Sequence, residues 1–321
     1  MDVVTSESGA EIRRCLLLSG GEWVPGAGEV TAVLDKYSLE QVAEAPAASE
    51  AQITGMIAAA HDAFRADTLT PYERGEILDR AVQIVGREKE SLAGIIQAES
   101  GFTHADALGE VTRCMQTLRL SAEEARRLKG DIIPMSGAPN QGRRMAFSLR
   151  VPLGVVLAVT PFNSPLNTVT HKVGPALAAG NAVVLKPASA TPMTSCKLAE
   201  ILVEAGVPKG LLSVLHGGGA VVQAAIADEK IRFIAFTGST ITCRRAESVT
   251  VYHSGFAGQV YNRAPYITAA TGGCCTGVIQ HFPVAVVTAN FCTTHHASGI
   301  VIGVGNCFVS CTACCEWGVS A

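Results

Sequence analysis

Apolar residues along this chain change period once, sharply. From Ile53 to Phe64 they recur at helical spacing in a short, Ala-rich run. Thr70-Pro71-Tyr72-Glu73 then supplies a helix start, with Thr as N-cap, Pro at the first helical position and Glu closing a capping box. Ile77, Leu78, Ala81, Ile84, Val85, Leu92, Ile95 and Ile96 continue that helix. Leu108, Val111, Met115, Leu118, Ala122 and Ala125 step by threes and fours through another. Residues 50–130 are therefore predicted to be mainly helical, a packing layer with its charges toward solvent.

From Met145 the period becomes two. Met145, Phe147 and Leu149 alternate with smaller or polar residues, as in a half-buried strand. Short continuous apolar runs follow at Gly154–Val159, Ala182–Leu185, Leu211–Leu215 and Phe233–Ala235. Helical patterns separate them, over Leu166–Ala179, Met193–Ala205 and Ala220–Ala227, the second ending in Gly206 and then Pro208. Buried strands alternating with helices predict βαβ units and a parallel, doubly wound α/β sheet, Rossmann-type in its architecture. Ligands on such sheets bind outside the carboxyl ends of the strands.

Those ends carry the unusual residues. The four runs lead into Thr160-Pro161-Phe162-Asn163, Lys186-Pro187-Ala188-Ser189, His216-Gly217-Gly218-Gly219 and Phe236-Thr237-Gly238-Ser239-Thr240. A Lys at a strand end can donate to ribose hydroxyls or meet phosphate charge. A Gly-Ser-Thr turn offers free N–H groups to a pyrophosphate, and an Asn amide can donate to a developing oxyanion. Singly, each has a blander explanation: a solvated lysine, a turn asparagine, a tight glycine turn. The triple glycine lacks the third Gly of a G-x-G-x-x-G fingerprint, because Val222 stands there.

Order and spacing together are more specific. Val-Pro-Leu-Gly-Val-Val from Val151, Pro-Phe-Asn-Ser-Pro-Leu from Pro161, His-Lys-Val-Gly-Pro-Ala-Leu-Ala-Ala-Gly-Asn-Ala-Val-Val-Leu-Lys-Pro-Ala from His171, Glu-Ala-Gly-Val-Pro-Lys-Gly from Glu204 and Phe-Thr-Gly-Ser-Thr from Phe236 closely resemble the NAD(P)-dependent aldehyde dehydrogenase superfamily. The resemblance extends weakly back to Gly21-Glu22-Trp23-Val24 and covers about residues 20–240. It implies oxidation of a small-molecule aldehyde to a carboxylate with NAD(P)+. A cysteine thiolate attacks the aldehyde, an Asn and a backbone N–H hold the oxyanion, and a Glu activates the hydrolytic water. The family Asn falls on Asn163. By the same resemblance Thr160, Pro161 and Phe162 line the cofactor cleft, Lys186 donates to the adenosine ribose, Gly238 and Ser239 face the pyrophosphate, and Gly219 lies near the adenine. NAD-preferring members often carry Glu at the position of Ser189, where its carboxylate repels a 2′-phosphate. The neutral Ser189 implies that NADP is accepted, with NAD as the alternative cofactor.

The chain also departs from the pattern. Cys243 replaces the last Gly of Gly-Ser-Thr-x-x-Gly, and neither the Glu-Leu-Gly-Gly segment of the base nor the Gly-Gln-x-Cys segment of the nucleophile is present. Gly258-Gln259-Val260-Tyr261 is too close to Gly238 and has Tyr at the thiol position. Cys15, Cys114 and Cys196 match no family nucleophile.

Composition places the departure. The 321 residues are 48% apolar with net charge −3, which excludes nucleic acid and anionic membranes as favoured partners. The charged N-terminus is no signal peptide, so a cytoplasmic protein is expected. Yet residues 241–321 hold eight of the 11 cysteines, five charged side chains, and no Leu, Lys, Asp or Met. About seven Leu would be expected in so long a segment. Cys307, Cys311 and Cys314 could be read as an iron–sulfur or zinc set, and the uncharged stretch Ala297–Cys315 as a membrane anchor. The reading that explains all the missing residue types together is a shifted reading frame or an assembly error near residues 240–248. We therefore expect a 1–240 NAD(P)-binding domain with N-terminal helices, a 241–321 tail that is not natively folded, no bound metal, and a missing catalytic domain. The family's homo-oligomers imply an interface strand that this chain lacks. A polypeptide without turnover follows, the alternative being a truncated nucleotide-binding fragment or pseudogene product. Exposed Val- and Ile-rich segments at Phe282–Val287 and Ile300–Val304 would favour aggregation.

Overall fold

A computed structural model describes residues 2–5, 11–66, 69–137, 139–142 and 144–238, with the backbone of further strands at 275–276, 284–290 and 299–304. The first strands are β1 (Asp2–Thr5), β2 (Glu11–Arg14), β3 (Leu17–Ser19), β4 (Glu22–Val24), β5 (Val30–Leu34) and β6 (Gln41–Pro46). Four of them make a sheet in the order β1-β2-β6-β5. β3 and β4 form a hairpin across Gly20-Gly21, whose φ values of 58° and 88° are those of the primed turn that suits strand twist. Sequence periodicity found none of these strands, because they are three to six residues long and mostly half-exposed.

The predicted helical layer is present as α1 (Glu50–Ala66), α2 (Pro71–Arg87), α3 (Lys89–Ser100) and α4 (His104–Arg127). Thr70 caps α2 with both bonds of the capping box: Glu73 N–H donates to Thr70 Oγ1 at 3.3 Å, and Thr70 N–H donates to the Glu73 carboxylate at 2.8 Å. One predicted helix is two. The run from Ile77 to Ile96 breaks at Glu88, where φ −100° and ψ 16° leave the helical region. Gly86 lies in the last turn before the break. Glu88 is held by Lys197 at 2.5 Å and Arg87 at 3.0 Å, contacts that periodicity does not report.

After β7 (Ile132–Ile133) and β8 (Arg144–Arg150) come the alternating elements: β9 (Val155–Val159), α5 (Asn167–Ala178), β10 (Ala182–Lys186), α6 (Pro192–Glu204), β11 (Leu212–Val214), α7 (Gly219–Ala227) and β12 (Ile231–Gly238). Every residue of β9 and β10 is buried, as expected for strands covered on both faces. With β13 (Cys275–Thr276) they form a seven-stranded sheet in the order β13-β12-β9-β10-β11-β3-β4. Its centre, β12-β9-β10-β11, is parallel throughout. The chain moves outward from β9 to β10 to β11 and then returns to place β12 on the other side of β9. The topological switch point therefore lies between β9 and β12, where such sheets open a crevice.

The described residues divide into two units. The first holds residues up to Arg127, the run from Leu153 through β12, and β13. The second holds β7, β8 and two strands from the distal sequence, β14 (Val284–Asn290) and β15 (Gly299–Val304). In that second unit β14 pairs antiparallel with β8 over Val284–Asn290, and β15 with β14, giving the order β15-β14-β8-β7. The Val- and Ile-rich segments Phe282–Val287 and Ile300–Val304 overlap these two strands, and Met145, Phe147 and Leu149 lie on β8 as predicted. The cysteine triplet lies outside the described residues. Ala297–Cys315 overlaps them at β15 alone, where the backbone is a strand.

Candidate functional site

The residues predicted to carry chemistry gather at the carboxyl ends of the parallel strands, with one exception: Ser239 lies outside the described residues. β9 ends at Val159, and Thr160 N–H donates to the Lys186 carbonyl at 3.2 Å, tying the first loop to the end of β10. From there the chain turns outward, leaving Pro161 half-buried and Phe162 and Asn163 exposed before α5 begins. Phe162 is 64% exposed, unusual for so large an apolar side chain.

Lys186 is the electrostatic anomaly. Its side chain is 7% exposed, and its ammonium has no partner among the described residues. Burial pulls its pKa from 10.5 down to about 8. Buried charges are ordinarily paired. On the neighbouring strand end, Thr160 Oγ1 is buried and also without a hydrogen-bond partner. The two orphans sit on adjacent strand ends, where a sugar hydroxyl or phosphate oxygen could satisfy the ammonium and a ligand polar atom the hydroxyl. Neutral hydroxyls without partners also occur at Thr191, Ser195 and Ser213; nothing in the structure explains them.

The next loop is braced rather than open. Ser189 Oγ donates to the Gly217 carbonyl at 3.1 Å. Gly217 has φ +136°, and a Cβ there would lie 2.4 Å from Val221 Cγ2, so only glycine fits. Gly218 and Gly219 are exposed, with nothing within 4 Å of where a Cβ would stand. They begin α7 with no side-chain cap, leaving its first N–H groups available to an acceptor. His216 is buried below this loop, with Nε2 3.2 Å from the Leu16 carbonyl and 3.5 Å from Cys196 Sγ. Burial lowers its pKa to about 4, so it is a neutral imidazole.

At the far side of the switch point, Gly238 closes β12, and a Cβ there would strike the Phe236 ring at 2.7 Å. Lys172 Nζ donates to Thr237 Oγ1 at 2.6 Å in a buried contact. Burial brings this lysine, too, down to about 8. Lys172 lies within the His171 motif, where the resemblance implies no role for it. The signal was there: a lysine within the apolar spacing of Val169, Val173 and Leu177 is a charge set among core positions.

The three upstream thiols are poor nucleophiles. Cys15, Cys114 and Cys196 are fully buried. Burial drives Cys114 up to about 12, and the Cys15 thiol together with burial holds Cys196 well above the usual thiol range. Thiolates, not thiols, attack carbonyls. No group of three or more His, Cys, Asp or Glu among the described residues could hold a metal ion. No helix among them is long and apolar enough to cross a membrane.

A parallel sheet with its switch point at β9/β12, flanked by helices, defines a doubly wound α/β protein of Rossmann type. More narrowly, the aldehyde dehydrogenase family matches residues 23–251, and the chain belongs to that family. It is 44% identical over 230 residues to the 3-sulfolactaldehyde dehydrogenase of Priestia aryabhattai, covering 71% of this chain and 48% of that protein. Among solved structures it resembles an NADP-dependent glyceraldehyde-3-phosphate dehydrogenase from Bacillus halodurans C-125, complexed with NADP. There the TM-score is 0.71 at 32% identity, over 73% of this chain and 50% of the other. An NAD-dependent benzaldehyde dehydrogenase from Corynebacterium glutamicum gives 0.69 at 34%, over 74% and 52%. The chain thus spans about half the length of the relatives it matches.

Proposed function

We propose that this chain carries the cofactor-binding half of an NAD(P)-dependent aldehyde dehydrogenase and binds NADP, or NAD, without oxidising aldehyde. The observation that carries the reading is Lys186, a lysine only 7% exposed at the end of β10, beside the orphaned hydroxyl of Thr160. Lys186 would donate to the adenosine ribose, Gly238 and Ser239 would face the pyrophosphate, and Gly219 would leave room for the adenine. Thr160, Pro161 and Phe162 would line the cleft toward the nicotinamide. Ser189 is small and neutral, so no carboxylate opposes a 2′-phosphate there. Relatives named for either cofactor support the choice of NADP or NAD.

When bound, the cofactor supplies a hydride acceptor. This chain's contribution to the chemistry would be the Asn163 amide, donating to the oxyanion formed from a small-molecule aldehyde. Loss of one such donor typically costs about 10²–10³ in turnover. The thiolate and base segments of the family are absent from the sequence. Cys15, Cys114 and Cys196 are buried, and Cys114 and Cys196 are held protonated, which supports a polypeptide without turnover. We assign residues 1–240 to the cofactor domain, residues 241–321 to a shifted reading frame, and the protein to the cytoplasm. Oligomers of the family type would lack their interface strand in this chain.

Two experiments test the reading. The full chain should quench or enhance NADPH fluorescence saturably, yet form no NADPH from NADP+ with a panel of aldehydes. Aldehyde-dependent NADPH formation would refute the absence of turnover, and a preference for NAD above about tenfold would remove the argument from Ser189. The coding DNA, translated in its other two frames beyond residue 240, should yield Glu-Leu-Gly-Gly followed by Gly-Gln-x-Cys. If neither frame does, the frame-shift reading is wrong.

A further inference from the structure

We infer that Glu110, on α4, is a positioning residue for Asn163: its buried carboxylate fixes the far end of the loop that presents the amide. This rests on the functional reading above. The loop from Thr160 to the start of α5 has two anchors. At its start, Thr160 N–H donates to the Lys186 carbonyl. At its end, Ser164 Oγ and Asn167 N–H both donate to Glu110 Oε2, at 2.9 and 3.1 Å. Asn163 lies between them, exposed, one residue before the Ser164 anchor.

Glu110 is 2% exposed, and a carboxylate so placed must have both oxygens engaged. The second oxygen, Oε1, accepts from Arg113 at 2.6 Å. The carboxylate is thereby oriented from one side by its own helix and spends its other side on the loop. An apolar residue could fill the same seam between α4 and α5, but it could not accept from Ser164 and from the free N–H of Asn167 at once. The carboxylate's particular use is therefore to hold the turn after Asn163, and productive placement of an oxyanion donor tolerates errors of only about 0.5 Å.

The test uses the full chain and hydrogen exchange, with and without NADPH, on Glu110→Gln and Ser164→Ala. A Gln keeps one acceptor and loses the charge. Its amides at 162–164 and at Asn167 should exchange at least about tenfold faster while α2 and β10 keep their wild-type rates. Ser164→Ala, which removes one bond and no charge, should give a smaller rise in the same amides. With NADPH, the wild type should gain protection both at 160–164 and at 186–189. In Glu110→Gln only the second footprint should remain, whereas a general loss of structure would remove both. Wild-type exchange at 162–164 and Asn167 in both variants, or a rise spread evenly over α4 and α5, overturns the inference. A wild-type chain that shows no NADPH footprint anywhere refutes the cofactor reading instead, and the ligand-free exchange still decides whether Glu110 holds the loop.

Discussion

Two buried polar regions of this molecule are built on opposite rules. Along the seam between α4 and α5 every polar group has a partner. Glu110 is shared by Arg113, Ser164 and Asn167; Cys114 Sγ meets Thr170 Oγ1 at 3.1 Å; Thr117 Oγ1 donates to Asn167 Oδ1 at 3.0 Å; and Ser121 Oγ donates to the Thr117 carbonyl at 2.7 Å. At the carboxyl ends of β9 and β10, by contrast, Lys186 is only 7% exposed with no hydrogen bond or ion pair among the described residues, and the buried Thr160 hydroxyl has no partner among them. The seam is architecture and completes itself. The cleft leaves its polar groups for something else, and a charge left unpaired there destabilises the empty protein.

Mutating each region should separate the two rules. The largest effect is expected at Lys186. Its pKa is lowered on folding, so the folded state disfavours the charged form; the stabilising contribution is present above 10.5 and is lost as pH falls through about 8. At pH 7 the empty protein therefore carries the penalty. Lys186→Met should raise its melting temperature by several degrees while weakening NADPH binding about 10- to 100-fold, the worth of a hydrogen bond from a charged donor. Calorimetry and a fluorescence titration read the two arms. Lys172, whose ammonium already has Thr237 as acceptor, should gain less from the same change.

Next is the seam. A Cβ on Gly174 would lie 2.9 Å from Ser121 Oγ, so Gly174→Ala should destabilise by about 1–3 kcal/mol in urea unfolding. Ser121→Ala in the same chain should recover part of that loss, because it removes the clashing atom. No recovery would mean that the two helices do not meet there.

Two buried titrating groups set a pH window of smaller amplitude. Glu99 is fully buried, accepts from Met193 N–H at 2.8 Å and Thr194 N–H at 2.9 Å, and is raised by burial to about 7. Raised on folding, its contribution is present below about 4.5 and lost as pH rises through 7. His216 is lowered to about 4, so its contribution is present above 6.5 and lost as pH falls through 4. Between about pH 4 and 7, melting temperature should therefore fall on both sides of about pH 5–6, and above about pH 8 Lys186 turns the trend upward. Glu99→Gln should flatten the alkaline side and His216→Gln the acid side. The smallest effect, about 1 kcal/mol, is expected for Thr70→Ala, which removes the capping box of α2.

The contrast also explains what could be read from sequence. The parallel strands and their helices were legible because a strand covered on both faces is an unbroken apolar run, and β9 and β10 are such strands. Thr160, Phe162, Asn163, Lys186 and Ser189 were legible because each follows one of those runs. The N-terminal sheet was not, since its strands are short and half-exposed. Nor was the bend at Glu88, where the side chain pairs with Lys197 more than 100 residues away. Glu110 was hidden for a related reason. Beside Leu108 and Val111 it looks like one of the solvent-face charges, and only the docking of α5 makes it a core residue. Its spacing with Cys114, Thr117 and Ser121 was the available sign of a polar stripe turned inward.

The most direct test of the cofactor cleft is an NADPH titration of the full chain beside Lys186→Met and Thr70→Ala. Saturable binding is expected for the wild type and for Thr70→Ala, with affinity about 10- to 100-fold weaker in Lys186→Met. A folded wild-type chain that binds no NADPH, or a Lys186→Met variant that binds it as well as the wild type, would contradict the account.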